Sequence, residues 1–201
     1  MIDDDRRLQW LLWAAMVVVG LGLFAFVVRG ASQPKDPVVD RSAPSTTVAD
    51  LPPPGDPARV PLAGFGELAI TVAPPHGNGD LLSWCLLAAL NAEQRSHGLM
   101  GVKDLQGYSG MAFVYTTDVD NRFYMKDTPT PLSIAWIDKG GQLVSTADMA
   151  PCGNRDDCPL YPAAGPYRLA IEVPKGGLPA LGIVPGATVT ISGDCAPRSS
   201  T

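Results

Sequence analysis

Arg122, Tyr124 and Lys126 alternate along Arg122-Phe123-Tyr124-Met125-Lys126. In an extended strand that spacing puts all three on one face and leaves Phe123 and Met125 on the other, as natural core residues. Two cations beside a phenol can receive an anion through charge-assisted hydrogen bonds. Asp127 follows directly, and Tyr161 is taken as a neighbour. The candidate ligand-binding set is therefore Arg122, Tyr124, Lys126, Asp127 and Tyr161. The competing reading is an outward strand face whose Lys and Arg are merely solvated. No general base is arranged in this set for any chemistry that can be inferred, so the catalytic residues are unknown. An enzymatic alternative would draw on Lys126, Asp127 or Asp138.

Other chemistry-bearing residues lead less far. There are two histidines. His76 sits in the turn-like Pro74-Pro75-His76-Gly77-Asn78-Gly79-Asp80, where a solvated loop position is expected. His97 ends a short helix, where a cation meets the negative end of the helix dipole. Gly107-Tyr108-Ser109-Gly110-Met111 lacks the fifth-position glycine of a nucleophile elbow. Asp118-Val119-Asp120-Asn121 begins like a calcium loop, but Phe123 replaces its glycine and Pro129 its bidentate glutamate. No metal site and no cofactor are expected.

The elements that would position these residues are mostly strands. Short apolar runs broken by Gly, Pro, Asn and Asp predict strands at Glu67–Val72, Leu82–Ala88, Met111–Tyr115, Arg122–Lys126, Leu132–Ile137, Leu143–Ala147, Tyr167–Val173 and Thr188–Ser192. Along Tyr167–Val173 the alternation turns Tyr167, Leu169, Ile171 and Val173 inward and Arg168 and Glu172 outward. Asp138-Lys139-Gly140-Gly141 reads as a hairpin turn. One short helix is predicted at Ala92–His97, capped by Asn91 with Gln94 three residues on. The fold class expected is mainly β: a small antiparallel barrel-like or sandwich-like domain with one short helix.

Upstream, residues 8–28 run LQWLLWAAMVVVGLGLFAFVV, with Gln9 the strongly polar exception. As a helix this stretch is about 30 Å long, the thickness of a bilayer's hydrocarbon core. Arg29 follows it, where cleavage of a signal peptide would want a small residue, so a retained transmembrane signal anchor is expected. Arg6 and Arg7 favour a short cytoplasmic N-terminus over residues 1–7, although Arg29 and Lys35 narrow that bias. Residues 29–63 are rich in Pro, Ser, Thr and Ala and read as a semi-rigid tether. Residues 64–196 form the globular domain, of about 130 residues, and 197–201 a flexible tail.

All four cysteines lie after the anchor, an even set that suggests disulfides and an oxidising compartment. Zinc would want two close pairs, and only Cys152 and Cys158 are close. Those two are expected to close a short loop. Cys85, on an early strand, and Cys195, just past the last one, are expected to join the two ends of the domain. The expected location is thus the cell membrane, single-pass, with the domain outside the cytoplasm. The net charge of −5 is spread without a basic stripe, so no nucleic-acid partner is expected.

Several motifs then follow one another in a familiar order. Asn91 to Met100 ends in His97-Gly98-Leu99-Met100, and Gly110-Met111-Ala112-Phe113-Val114-Tyr115 comes next. After these come Phe123-Tyr124-Met125-Lys126-Asp127-Thr128, Pro131 to Asp138, Met149-Ala150-Pro151-Cys152, Tyr161-Pro162, Tyr167 to Pro174 and Gly182-Ile183. The chain from about residue 67 to 192 resembles the domain of unknown function 192 family. Asp127 departs from that pattern where Asn is usual, and Ser133 where Asp is usual. The resemblance implies a small, mainly β domain, often secreted or anchored, and supplies no catalytic residues. The expected function is a non-enzymatic envelope binding module for a partner protein, a polysaccharide or a small anion, with an assembly role as a further alternative.

Overall fold

A computed structural model describes residues 58–196. The anchor at 8–28, most of the tether and the tail at 197–201 lie outside the described residues. Among the described residues, no helix is long and apolar enough to cross a membrane.

Seven strands form one sheet: β1 (Gly66–Ala73), β2 (Leu82–Ala89), β3 (Met111–Val119), β4 (Leu132–Ile137), β5 (Leu143–Met149), β6 (Tyr167–Pro174) and β7 (Thr188–Gly193). Their order is β5-β4-β6-β3-β2-β1-β7. Every neighbouring pair is antiparallel except β2 and β3, which run parallel with Leu87 opposite Met111. Parallel neighbours need a crossover rather than a hairpin. Residues 90–110 supply it, and α1 (Ala92–His97), the one α-helix among the described residues, lies within it.

The expectation of an antiparallel barrel or sandwich is corrected accordingly: the domain is a single mixed open sheet. Its edges meet at one point. Val189 N donates to Gly141 O at 2.8 Å, and Gln142 pairs with Thr188 in an isolated bridge. Strand patterning reports which residues are apolar but not the direction in which a neighbouring strand runs, so the crossover escaped it.

Both faces of the sheet are covered. On one face Ile70, Leu86, Ile171 and Val173 pack with Leu181 from a 3-10 turn at Pro179–Leu181, and Trp84 Nε1 donates to the Leu181 carbonyl at 3.0 Å. On the other, Met111, Phe113, Ile134 and Trp136 lie under Phe123 and Met125. Phe123 meets Phe113 edge-on at 5.1 Å and Trp136 at 6.1 Å, geometry that suits the ring quadrupoles. This double covering explains why all six residues of β4 are buried instead of alternating.

It also overturns two expectations. Glu172, expected to point outward, is buried with 4% of its surface exposed, because both faces of β6 are packed: Leu169, Ile171 and Val173 lie in one core cluster and Tyr167 and Ala170 in the other. Arg122–Lys126 is not a strand of the sheet. It contributes single bridges, Phe123 with Tyr161 and Lys126 with Gly153, and is held by the burial of Phe123 and Met125.

Disulfides join Cys85 to Cys195 and Cys152 to Cys158, with Cα separations of 5.4 and 5.7 Å. Beside the first, Arg59 is buried and paired with Glu67 at 3.1 Å, and it donates to the Ala196 carbonyl at 2.5 Å.

Candidate functional site

The second face of the sheet is not covered everywhere. Between α1, the outer half of β3 and the segment through residues 119–124 lies a cleft of about 710 Å³. That volume suits a small molecule. Each wall has a local reason to stand where it does. Asn91 and Gln94 form a reciprocal cap: Gln94 N donates to Asn91 Oδ1 at 2.9 Å, and Asn91 N donates to Gln94 Oε1 at 3.2 Å. The helix stops at Gly98, whose φ of +51° strains other residue types and whose Cβ would press on the Phe113 ring at 3.4 Å.

Arg95, on the capped helix, spans the gap to β3. Its Nη1 donates to the carbonyls of Leu90 and Val114, each at 3.0 Å, and its guanidinium lies 4.7 Å from the centre of the Tyr115 ring. Opposite, Arg122 and Tyr124 are exposed and line the cleft from the other side. The anchoring of Phe123 aims both outward, so the alternation read from the sequence survives without the strand. Tyr167 OH donates to the Asn121 carbonyl at 2.9 Å and steadies the start of that segment. Burial pushes the Tyr167 phenol well above its ordinary range, so it stays a neutral donor.

Glu172 also lines this cleft. Among the described residues its carboxyl makes no hydrogen bond or ion pair. Burial alone pushes its pKa up to about 8, which leaves it protonated near neutral pH. Among the described residues it is the sole carboxyl that lines the cavity, whose lining also includes Arg95, Arg122 and His97.

The other sequence-derived candidates are elsewhere. Lys126 Nζ pairs with Asp156 Oδ1 at 2.5 Å; that hydrogen bond and charge raise the lysine's pKa and lower the aspartate's. Asp127 occupies a tight turn with φ +51°; its N–H donates to Gly153 O at 2.9 Å and its carbonyl accepts from Gly101 N at 2.8 Å. Asn and Asp are the side chains that best tolerate this left-handed geometry. Tyr161 pairs with Phe123 through its backbone, and its hydroxyl accepts from Ala150 N at 3.2 Å. Asp138 stabilises the β4–β5 turn by accepting from Gly140 N and Gln142 N. None of Lys126, Asp127 and Asp138 lines the cleft. Glu67, Cys85 and Cys195 place ligand-type atoms within 4.8 Å of one another, but the two sulfurs are bonded to each other.

Sequence reasoning missed Arg95 and Glu172. A signal for Glu172 was present: it interrupts an otherwise apolar run, Leu169-Ala170-Ile171-Glu172-Val173, of the kind that marks a strand buried on both faces.

The family model for DUF192, described as "Uncharacterized ACR", matches residues 77–191, more than half of the chain. The chain belongs to the DUF192 family. Solved structures agree on the fold. One is a protein of unknown function from Novosphingobium aromaticivorans DSM 12444, with 27% identity and a TM-score of 0.55, covering 66% of this chain and 91% of that one. Another is a "putative transcription regulator" from Sinorhizobium meliloti 1021, with 19% identity and a TM-score of 0.56, covering 66% and 98%. At that identity the second likeness concerns the fold alone. No curated protein matches the sequence. The cleft is built wholly from segments inside the DUF192 match, from Leu90 to Glu172.

Proposed function

We propose that this DUF192 domain is a non-enzymatic binding module of the cell envelope, held at the membrane by residues 8–28, and that it captures a small anionic ligand in the cleft. The observation that carries this reading is that Arg122 and Tyr124, on one wall, face the same cavity as Arg95 on the other. Arg95 is spent on two backbone carbonyls and the Tyr115 ring, so it contributes field and shape. Arg122 is in no ion pair among the described residues and keeps its fork of donors for a ligand. The even pair of disulfides supports a domain outside the cytoplasm.

The test is calorimetric titration of the full chain in detergent with acetate, inorganic phosphate and glucuronate. A charge-assisted hydrogen bond is worth about 1.5–3 kcal/mol, so Arg122→Ala should weaken anion binding by about tenfold or more. Lys126→Ala, outside the cleft, should leave it unchanged. Equal binding by Arg122→Ala and the unmodified protein would remove the proposed site.

A further inference from the structure

The floor of the cleft carries a group that anion capture does not use. Glu172 is nine-tenths buried and has no partner of its own among the described residues, yet it lines the cavity. Its oxygens are not among the fully enclosed side-chain atoms that lack a partner, so they open on the cavity, where a ligand can supply the partner that most buried polar groups have. In β6 its backbone is fully engaged, paired with Met111 on one side and Ile134 on the other, so the side chain cannot withdraw by sliding the strand. The charged and titratable groups that share the cleft come from each surrounding element: Arg95 and His97 from α1, Tyr115 from β3, and Arg122 and Tyr124 from the facing segment. None of these forms a hydrogen bond or ion pair with Glu172.

The cleft is therefore two-ended, with an exposed guanidinium and phenol at the mouth and an unpaired carboxyl within. The remaining lining is also mixed. Thr128 is buried at the cleft with its hydroxyl donated to the Lys126 carbonyl at 3.2 Å, which leaves that oxygen able to accept. Phe113 and Phe123 add apolar ring surface. A simple inorganic anion would satisfy the mouth and leave the floor empty.

We propose that Glu172 is the deep recognition residue of this cleft, hydrogen-bonding the hydroxyls of a monosaccharide-sized anion whose charge is held by Arg122 and whose ring lies against Tyr124. The ligand class is a hydroxylated sugar bearing a carboxylate or a phosphate. This rests on the anion-binding reading of the same cleft. A protonated carboxyl both donates and accepts, which is what a sugar hydroxyl asks of its partner, and the burial of Glu172 keeps it protonated near neutral pH. Hydrolysis is a poorer match. Glycosidases use two carboxyl groups, one acid and one base or nucleophile, and among the described residues Glu172 is the sole carboxyl lining this cleft.

The experiment titrates the full chain in detergent with glucuronate, glucose 6-phosphate, glucose, acetate and inorganic phosphate. It is repeated with Glu172→Leu and Glu172→Gln, each checked for an unchanged fold by circular dichroism. Glucuronate or the phosphorylated sugar should bind at least about tenfold more tightly than acetate, phosphate or glucose. Which of the two sugars is preferred identifies the source of the charge. Glu172→Leu should lose about tenfold for the sugar anion, the equivalent of one buried hydrogen bond. Glu172→Gln, which keeps a donor and an acceptor, should bind nearly as well as the unmodified protein. If acetate and phosphate bind as tightly as the sugar anions, or Glu172→Leu changes nothing, the sugar inference falls while anion capture stands. If glucose binds as tightly as glucuronate, or no anion binds, anion capture falls and this inference with it.

Discussion

Glu172 carries a cost to stability that depends on pH. The unfolded chain ionises it near its ordinary value of 4.5, whereas the folded domain keeps the proton up to about 8. Between those values the unfolded state holds fewer protons, so stability falls as pH rises through the window and levels off above it. Glu172→Gln removes that dependence. Relative to the unmodified protein, the variant should gain on the order of 3 kcal/mol between about pH 5 and about pH 7.5, read as the difference between denaturation midpoints at each pH. A constant difference across the window would show that Glu172 is not held neutral. The aromatic anchor offers a second test at this scale. Phe123 touches Phe113, Trp136 and Tyr167, so Phe123→Ala should cost about 3–5 kcal/mol in chemical denaturation. It should also release Arg122 and Tyr124 from their fixed positions. Of the residues singled out from the sequence, Arg122 and Tyr124 were legible because Phe123 and Met125 between them are apolar. Lys126, Asp127 and Tyr161 were grouped with them by proximity along the chain or by type, and the fold sends them to an ion pair, a left-handed turn and a backbone bridge.

Six residues make up α1, too few to be a stable helix on their own. Its reciprocal cap therefore matters more than usual, and Gln94 Nε2 also donates to the Gly64 carbonyl at 2.8 Å, tying the helix to the start of β1. Asn91→Ala should destabilise the domain by about 1 kcal/mol. Because Arg95 and His97 stand on this helix, the same change should weaken ligand binding by more than a surface substitution at Glu93 does, measured by the same titration. The helix and seven of the eight expected strands were legible, because caps, turns and apolar runs are local signals. The eighth, Arg122–Lys126, alternates like a strand but finds no ladder of partners, and pairing is a property that no single segment carries.

The two disulfides differ in reach at the scale of the whole molecule. Cys85 and Cys195 are separated by 110 residues, Cys152 and Cys158 by 6. In the loop-entropy account the long closure contributes about 4–5 kcal/mol and the short one about 2. Replacing Cys85 and Cys195 by Ala should therefore lower the denaturation midpoint markedly more than replacing Cys152 and Cys158. Equal losses would mean that the long bridge does not restrain the unfolded chain as that account requires. The expected placement in the envelope has its own test. The full chain should remain with membranes after an alkaline wash, and its four cysteines should resist alkylation until reduced. Release by the wash would remove the anchor at 8–28, and four reactive thiols in protein from native membranes would remove the export reading.

By itself the sequence determined the class of the domain, the positions of most of its strands, its one helix and its place in the DUF192 family. Each of these depends on residue types at short separations. Only the tertiary structure decided that β2 and β3 run parallel, that the sheet is mixed and open, and that β6 is covered on both sides. The last point changes the chemistry. An alternating strand says that its two faces differ, but which face meets solvent depends on what packs against it. Here the face read as outward puts Glu172 at the floor of the cleft, some fifty residues along the chain from the Arg122 and Tyr124 it joins there.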